Sequence, residues 1–285
     1  MDGDCDELEE VARRLIAAVA VPMVLGDGTT VTPSISVGLA HAEPGTDRSS
    51  LLRQADAALF RAKELGRGRF HRFDDELRIR VMDRLFIQTE VPGALANDDL
   101  YCVYQPEVVI ESGALFSFEA LSRSCHPNQG SIPPTRFVPV IEEIGLTGHL
   151  FDHVLAEALG AQAQWAKQLG FHPDVAINAS AHQLGNIDLP AAVAKALDRA
   201  DCPADSLWIE VTEGAIAATT ASRVLRELHD LGVRLAIDDF GTGFGGFTYL
   251  KKLPIHRLKI DVEFVKDLPT SRASQQVVKA VVALA

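Results

Sequence analysis

The chain has 285 residues, 47% of them hydrophobic and 23% charged, a soluble globular balance over a length that suits one large domain or two medium ones. Its formal net charge of −12 excludes sequence-independent binding to a nucleic-acid polymer, which needs clustered cations, but not a phosphate ester whose charge a metal ion offsets. Cys5, Cys102, Cys125 and Cys202 form no CxxC pair, so reduced thiols in a cytoplasmic protein are expected and a zinc scaffold is not.

No apolar run reaches the roughly 18 residues of a membrane span, and the acidic, amphipathic start is not a signal peptide. Residues 6–20 space Leu8, Val11, Leu15 and Val19 at helical intervals. A Gly-Asp-Gly turn at 26–28 leads into TTVTPSISVGLAHA, whose β-branched, partly alternating pattern predicts a strand. SSLLRQADAALFRAKELGRGRF follows as a helix with a serine cap at its start and Gly66 at its close. This α-β-α stretch of about 70 residues is thin for an independent domain. FDDELRIRVMDRLFIQTE predicts a linker helix, broken at Pro92-Gly93.

From residue 100 onward strands and helices alternate. Strand-like runs fall at 100–110, 115–121, 174–180, 206–212, 233–239 and 257–261, with amphipathic helices at 149–170 and 219–232. Such alternation predicts a mostly parallel sheet. Only Glu111 to Ala114 separate the first two runs, so those two should form an antiparallel hairpin. The fold expected is an α/β barrel or open sheet with one reversed strand.

Five of these strands finish in groups suited to metal or phosphate: Glu119, Asn178, Glu210, the pair Asp238-Asp239, and Lys259 with Asp261. Barrel enzymes place their active sites at the carboxyl ends of strands. Any one carboxylate taken alone reads better as a surface group at a strand–loop junction; Asn178 reads equally as a turn-former, and Asp238-Asp239 can be an Asx-turn before Gly241 and Gly243. Their recurrence on five strand ends points instead to one site. Oxygen ligands without His or Cys favour Mg²⁺ or Mn²⁺ over Zn²⁺. Two aspartates could hold two ions about 3.5–4 Å apart, as in phosphoryl displacement. Lys259 could steady the attacking water or the developing charge. The residues alone reach a metal-dependent barrel hydrolase or lyase.

The ordered motifs FEALSR, VAINAS, WIEVTE, AIDDFGTGF and LKID, with YQPEVV and HPNQGSIPP, resemble the EAL family of cyclic di-GMP phosphodiesterases. SISVGLA and LLRQADAALFRAKELGRGRF resemble the C-terminal half of a GGDEF domain, whose Gly-Gly-Asp-Glu-Phe signature is nowhere in the chain, so cyclase activity is not expected. The boundaries that follow are 1–75 for the GGDEF part, 76–98 for a linker helix and 99–285 for the EAL part.

The EAL resemblance implies a TIM-like barrel with an antiparallel first strand, and hydrolysis of cyclic di-GMP to linear pGpG with two Mg²⁺ or Mn²⁺ ions. It implies Glu119, Asn178, Glu210 and Asp238 as ligands of the first metal, with Asp238 and Asp239 holding the second. Lys259 and Glu213 take catalytic roles, Glu213 by pinning the Asp-Asp-Phe-Gly loop closed. Gln105, Arg123 and Asp261 are the substrate-binding candidates, and a homodimer is left open as the assembly. Ser124, Glu107 and Thr147 depart from the family pattern, which predicts weaker packing around the site. The family continues past LKID with two more strands bearing a glutamate and a glutamine near the substrate. The barrel is therefore expected to be C-terminally incomplete, six strands against about eight, with two unpaired edges. The alternatives are a non-catalytic cyclic di-GMP or partner-binding module and an unrelated Mg²⁺ barrel enzyme.

Overall fold

The computed structural model describes the chain except for residues 1–2, 43–44, 97–99, 127–129, 187, 218–219, 242–249, 251 and 285. Parts of the HPNQGSIPP and AIDDFGTGF motifs, Gly243 included, therefore lie outside the described residues. Two compact units form, Met1–Phe86 and Ile87–Ala285.

The first unit begins with α1 (Gly3–Val19), followed by the short antiparallel pair β1 (Met23–Val24) and β2 (Thr30–Val31). Then come β3 (Val37–Leu39), α2 (Arg48–Glu64) and β4 (Phe70–Arg72), with β3 and β4 parallel. The single strand expected over 29–42 is thus two pieces, β2 and β3, with Pro33 between them. A proline offers no N–H to a ladder, so the run cannot pair continuously through it. Asp47, not a serine, caps α2, its Oδ1 accepting the Ser50 N–H at 3.0 Å. The helix ends at Glu64, and Gly66 at φ 107° makes the turn that no side chain favours; Phe70 already belongs to β4. β3 and α2 touch backbone to backbone. A Cβ on Gly38 would sit 2.0 Å from the Ala55 carbonyl oxygen.

Helix α3 (Asp75–Ala96) leaves this unit and, contrary to expectation, runs through Pro92-Gly93. Proline forfeits one helical hydrogen bond; here the helix continues one turn beyond it.

The second unit starts with the expected hairpin, β5 (Leu100–Val108) against β6 (Leu115–His126), where Gln105 faces Glu119 and Glu107 faces Ser117. The end of β6 also takes up a short strand missed in the sequence, β7 (Gly130–Ile132). Next follow α4 (Pro134–Glu143), α5 (Thr147–Leu169), β8 (Asp174–Ala179), α6 (Ala181–Asn186), α7 (Leu189–Ala200), β9 (Leu207–Thr212), α8 (Ala221–Asp230), β10 (Arg234–Phe240), β11 (Arg257–Ile260), α9 (Val262–Lys266) and α10 (Arg272–Leu284). The sheet order is β11-β10-β9-β8-β6-β5, parallel from β6 to β11. Its ends do not pair with each other among the described residues, so the sheet is open.

Alternation along the strands decides what each face does. Val175, Ile177, Leu207, Ile209, Val211, Leu235 and Ile237 are fully buried on one face, as are Leu155 and Leu159 of α5 and Leu225 and Leu228 of α8. Each such side chain contributes about 1.5–3 kcal/mol by leaving water. The opposite face carries Asn178, Glu210, Asp238 and Lys259.

Of the two exposed edges expected, that of β5 is covered by α5. The His153 ring Nε2 bonds the Leu100 carbonyl at 2.8 Å, and Glu157 Oε2 accepts the Cys102 N–H at 2.6 Å. The Tyr104 hydroxyl donates to the Glu157 carbonyl at 3.2 Å. Side chains from a helix thus replace the next strand.

Ser124, expected to loosen packing, is buried as the Cα partner of both Leu100 and Ile132. Small size suits a position enclosed by two ladders. Thr147 is buried as well, with its hydroxyl unpaired among the described residues.

Candidate active site

The strand-end residues converge on the face opposite the helices. Oxygens of Glu119, Glu210 and Asp238 lie within 4.8 Å of one another. Lys259 Nζ sits among them, 2.5 Å from Glu210 Oε2, 2.9 Å from Glu119 Oε2 and 3.9 Å from Asp238 Oδ1. Asn178 joins from β8, its amide Nδ2 donating to Glu119 Oε1 at 2.8 Å. Register explains the convergence: Asn178 is level with Glu210 on the neighbouring strand, and Thr212 with Asp238 on the next.

Glu210 is fully buried, and its Oε1 has no hydrogen-bond partner among the described residues. Burial pushes its carboxyl up to about 7; Lys259 opposes that rise, while Glu119 and Asp238 add to it. For Lys259, burial disfavours the charge, but Glu210 and Glu119 outweigh it and the net direction is upward. One ammonium therefore faces three carboxylates, and one buried carboxylate oxygen is left without a hydrogen-bond partner among the described residues. Three carboxylates and an amide are hard oxygen donors of the kind that hold Mg²⁺ or Mn²⁺, so the residues fit such an ion.

Asp239 does not join the three-carboxylate cluster. Ile237 pairs with Leu258 and Phe240 with Ile260, so Asp238 and Asp239 together oppose Lys259 alone, a bulge with Asp239 at φ 52°. Burial, then Asp238 and Asp261, raise its carboxyl above the ordinary range. Asp261 caps α9, accepting the Glu263 N–H at 2.6 Å. Glu213 opens the turn after β9, and its Oε2 accepts the Gly241 N–H at 3.3 Å, a tether on the segment leaving β10. Gln105 is exposed directly across from Glu119, and Arg123 Nη1 donates to the Ser122 carbonyl at 2.9 Å. Gln105 is thus the cross-strand neighbour of Glu119, whereas Arg123 lies four residues further along β6, paired with Tyr101. A cavity of about 510 Å³ adjoins, walled by Leu121, Val138, Phe151 and Thr147 and reaching Asn178 and Asp239. A larger groove between α5 and α7, about 620 Å³, touches none of the strand-end residues.

One layer down lies a pair that the motif reading passed over. Arg257 Nη1 meets Glu107 Oε2 at 2.6 Å, linking the two edge strands across the interior. The Ser117 hydroxyl donates to the same oxygen of Glu107. The Arg257 guanidinium stacks 3.7 Å from the Trp208 ring and 4.3 Å from Phe116. Arg257 stands two residues before Lys259 on one strand, a spacing that puts both on one face and was available in the sequence. Glu107, read as a flaw in packing, is ion-paired and only partly exposed.

The mostly parallel open sheet with one reversed strand thus gathers a carboxylate cluster at its strand ends. Residues 88–285 match the EAL domain family, and the chain belongs to it; residues 2–69 match the diguanylate cyclase GGDEF domain. The chain is 36% identical over 284 residues to the cyclic di-GMP phosphodiesterase PdeR of Escherichia coli, covering 98% of this chain and 42% of PdeR. It is 34% identical over 284 residues to the cyclic di-GMP phosphodiesterase NbdA of Pseudomonas aeruginosa, covering 98% of this chain and 36% of NbdA. The chain thus spans less than half the length of these curated relatives. Among solved structures, the PaMucR phosphodiesterase in complex with c-di-GMP aligns with a TM-score of 0.67 at 34% identity, over 70% of this chain and 81% of that one. The cGMP-bound EAL enzyme Bd1971 aligns at 0.68 and 25%, over 85% of this chain and 64% of its own. The fold is accordingly the TIM-like barrel of EAL domains, here with an open sheet.

Proposed function

We propose that this chain hydrolyses one ester bond of cyclic di-GMP to give linear pGpG, dependent on Mg²⁺ or Mn²⁺. The observation that carries this reading is the triad Glu119, Glu210 and Asp238 on three strand ends, with one buried carboxylate oxygen left unpaired. Glu119, Asn178, Glu210 and Asp238 would hold the first ion. Asp239 and Asp261, whose mutual repulsion a cation would relieve, lie where a second could bind beside Asp238. When bound, the metal would lower the pKa of water and offset charge at the scissile phosphate.

The chain's own groups do the rest. Lys259 presents a compact ammonium that stabilises negative charge at the reacting phosphorus. Arg123 offers a guanidinium fork to the other phosphate, and Gln105 an amide to a base. Glu213 restrains the segment after β10 through Gly241. No Gly-Gly-Asp-Glu-Phe occurs in these 285 residues, and we expect no cyclase activity from them.

The test is to incubate the purified chain with cyclic di-GMP and Mn²⁺ and follow pGpG by chromatography. Product is expected, and Glu119→Ala should abolish it, because the substitution removes a carboxylate from the proposed ligand set. Activity surviving that substitution would overturn the ligand assignment. Binding of cyclic di-GMP without turnover would replace the hydrolase with a binding module.

A further inference from the structure

Lys259 and a divalent ion compete for the same oxygens. The ammonium rests between Glu210 and Glu119, 2.5 and 2.9 Å away, at the centre of the three carboxylates that the metal reading assigns as ligands. The ammonium occupies Oε2 of both Glu210 and Glu119, and a divalent ion at the same carboxylates would repel it at that range. A metal that takes those two oxygens displaces Lys259.

Its destination is written in the layer below. Among the described residues, the carboxylates within 4.0 Å of Lys259 Nζ are Glu119, Glu210, Asp238 and Glu107, and Glu107 alone stands outside the ligand set, with Oε1 at 3.7 Å. Glu107 is also held in waiting. Its Oε2 is occupied by Arg257 at 2.6 Å and by the Ser117 hydroxyl, which leaves Oε1 turned toward the lysine. Arg257 packs against both the Trp208 and the Phe116 ring while it bonds Glu107. A rotation about the last bonds of a flexible lysine stem would carry the ammonium from Glu210 to Glu107 without moving the backbone.

We propose that Lys259 is an exchangeable internal cation: it fills the ligand set when metal is absent and shifts onto Glu107 when metal binds, so that Glu107 is a positioning residue that sets metal affinity. This rests on the metal-site reading above. The energetic logic is that of linked equilibria: Glu107 stands 3.7 Å from Lys259 in the metal-free state and would pair with it directly in the metal-bound state, so removing it penalises the metal-bound state more.

Mn²⁺ binding to the full chain, followed by electron paramagnetic resonance of the free ion, reads this without any turnover. Glu107→Gln should weaken binding by at least about fivefold, the lower end of a typical coupling. Glu107→Asp, which keeps the charge, should restore most of it. Lys259→Met removes the competitor and should tighten binding. In that background Glu107→Gln should have no further effect, because the two act through one contact. Equal weakening with and without Lys259 would assign Glu107 a structural role and overturn the proposal. So would wild-type affinity in a folded Glu107→Gln chain. Should these variants fail to fold, crystals of the wild type with and without Mn²⁺ decide: Nζ must move from Glu210 to Glu107, and a lysine still seated on Glu210 beside bound metal ends the idea. No Mn²⁺ binding by the wild type at all would instead defeat the underlying metal reading.

Discussion

Replacing Glu210 by glutamine should make the metal-free protein more stable at alkaline pH while removing its response to metal. Glu210 is fully buried, and its carboxyl rises from 4.5 to about 7. A rise of that size disfavours the ionised form by about 3 kcal/mol once both folded and unfolded states would carry the charge. The sign follows from proton linkage. A group whose folded value is raised contributes stability below its unfolded value, here 4.5, and that contribution disappears as pH climbs through about 7. Glutamine does not titrate and keeps the shape of the protonated acid. The variant and the wild type should therefore melt together near pH 4.5 and separate as pH rises. By pH 8 in EDTA the gap should reach roughly 6–12 °C in favour of the variant, at 2–4 °C per kcal/mol for a unit of this size. Added Mn²⁺ should then raise the wild type and leave the variant where it was. Differential scanning calorimetry over that pH range measures both. A variant that melts below the wild type at pH 8 in EDTA would refute the reasoning, because the raised value already includes the opposing pull of Lys259.

The other expectations concern metal removal and packing. Withdrawing Mn²⁺ from a wild-type sample held at a hundredfold excess over Kd should cost about 2.7 kcal/mol, seen as a drop in the urea midpoint. Gln162 is buried and gives its amide to the Pro173 carbonyl at 2.6 Å and the Ser206 hydroxyl at 3.0 Å; Gln162→Ala should destabilise by about 2–4 kcal/mol in urea titration, and a loss below 0.5 would mean water replaces the amide. Gly38→Ala forces a methyl onto the α2 backbone, so the first unit should lose about 3 kcal/mol or more, read from limited proteolysis of residues 1–86.

The strand-end site was legible because strand alternation leaves physical traces in sequence. A β-strand that is apolar until its last residues and then ends in Glu, Asn or Asp reads the same on the page as in space, and Glu119, Glu210 and Asp238 do meet. Asp239 shows where that logic stops. A bulge breaks the two-residue period, and nothing in Asp-Asp announces that the second will turn to φ 52° and leave the cluster. The Glu107–Arg257 pair was hidden for another reason: its partners are 150 residues apart and meet only because the sheet curls. In the first unit Pro33 announced its own break, but β-branched neighbours outweighed it in the reading. The helices α4, α6 and α7 are short or begin at prolines, and their periodicity was too brief to stand out.

The cover that α5 lays over β5 has a kinetic meaning. A strand arriving from another molecule would have to dislodge the Glu157 carboxylate from the Cys102 amide and the His153 ring from the Leu100 carbonyl before gaining its first ladder bond. Beyond those two residues, Pro106 lacks an amide to offer. The edge is closed to nucleation at one end and starved of donors toward the other, so growth of a sheet from this side is slow even at concentrations where it would be downhill. Slow amide exchange at Cys102, a residue at the sheet's margin, would be the visible trace of that gate.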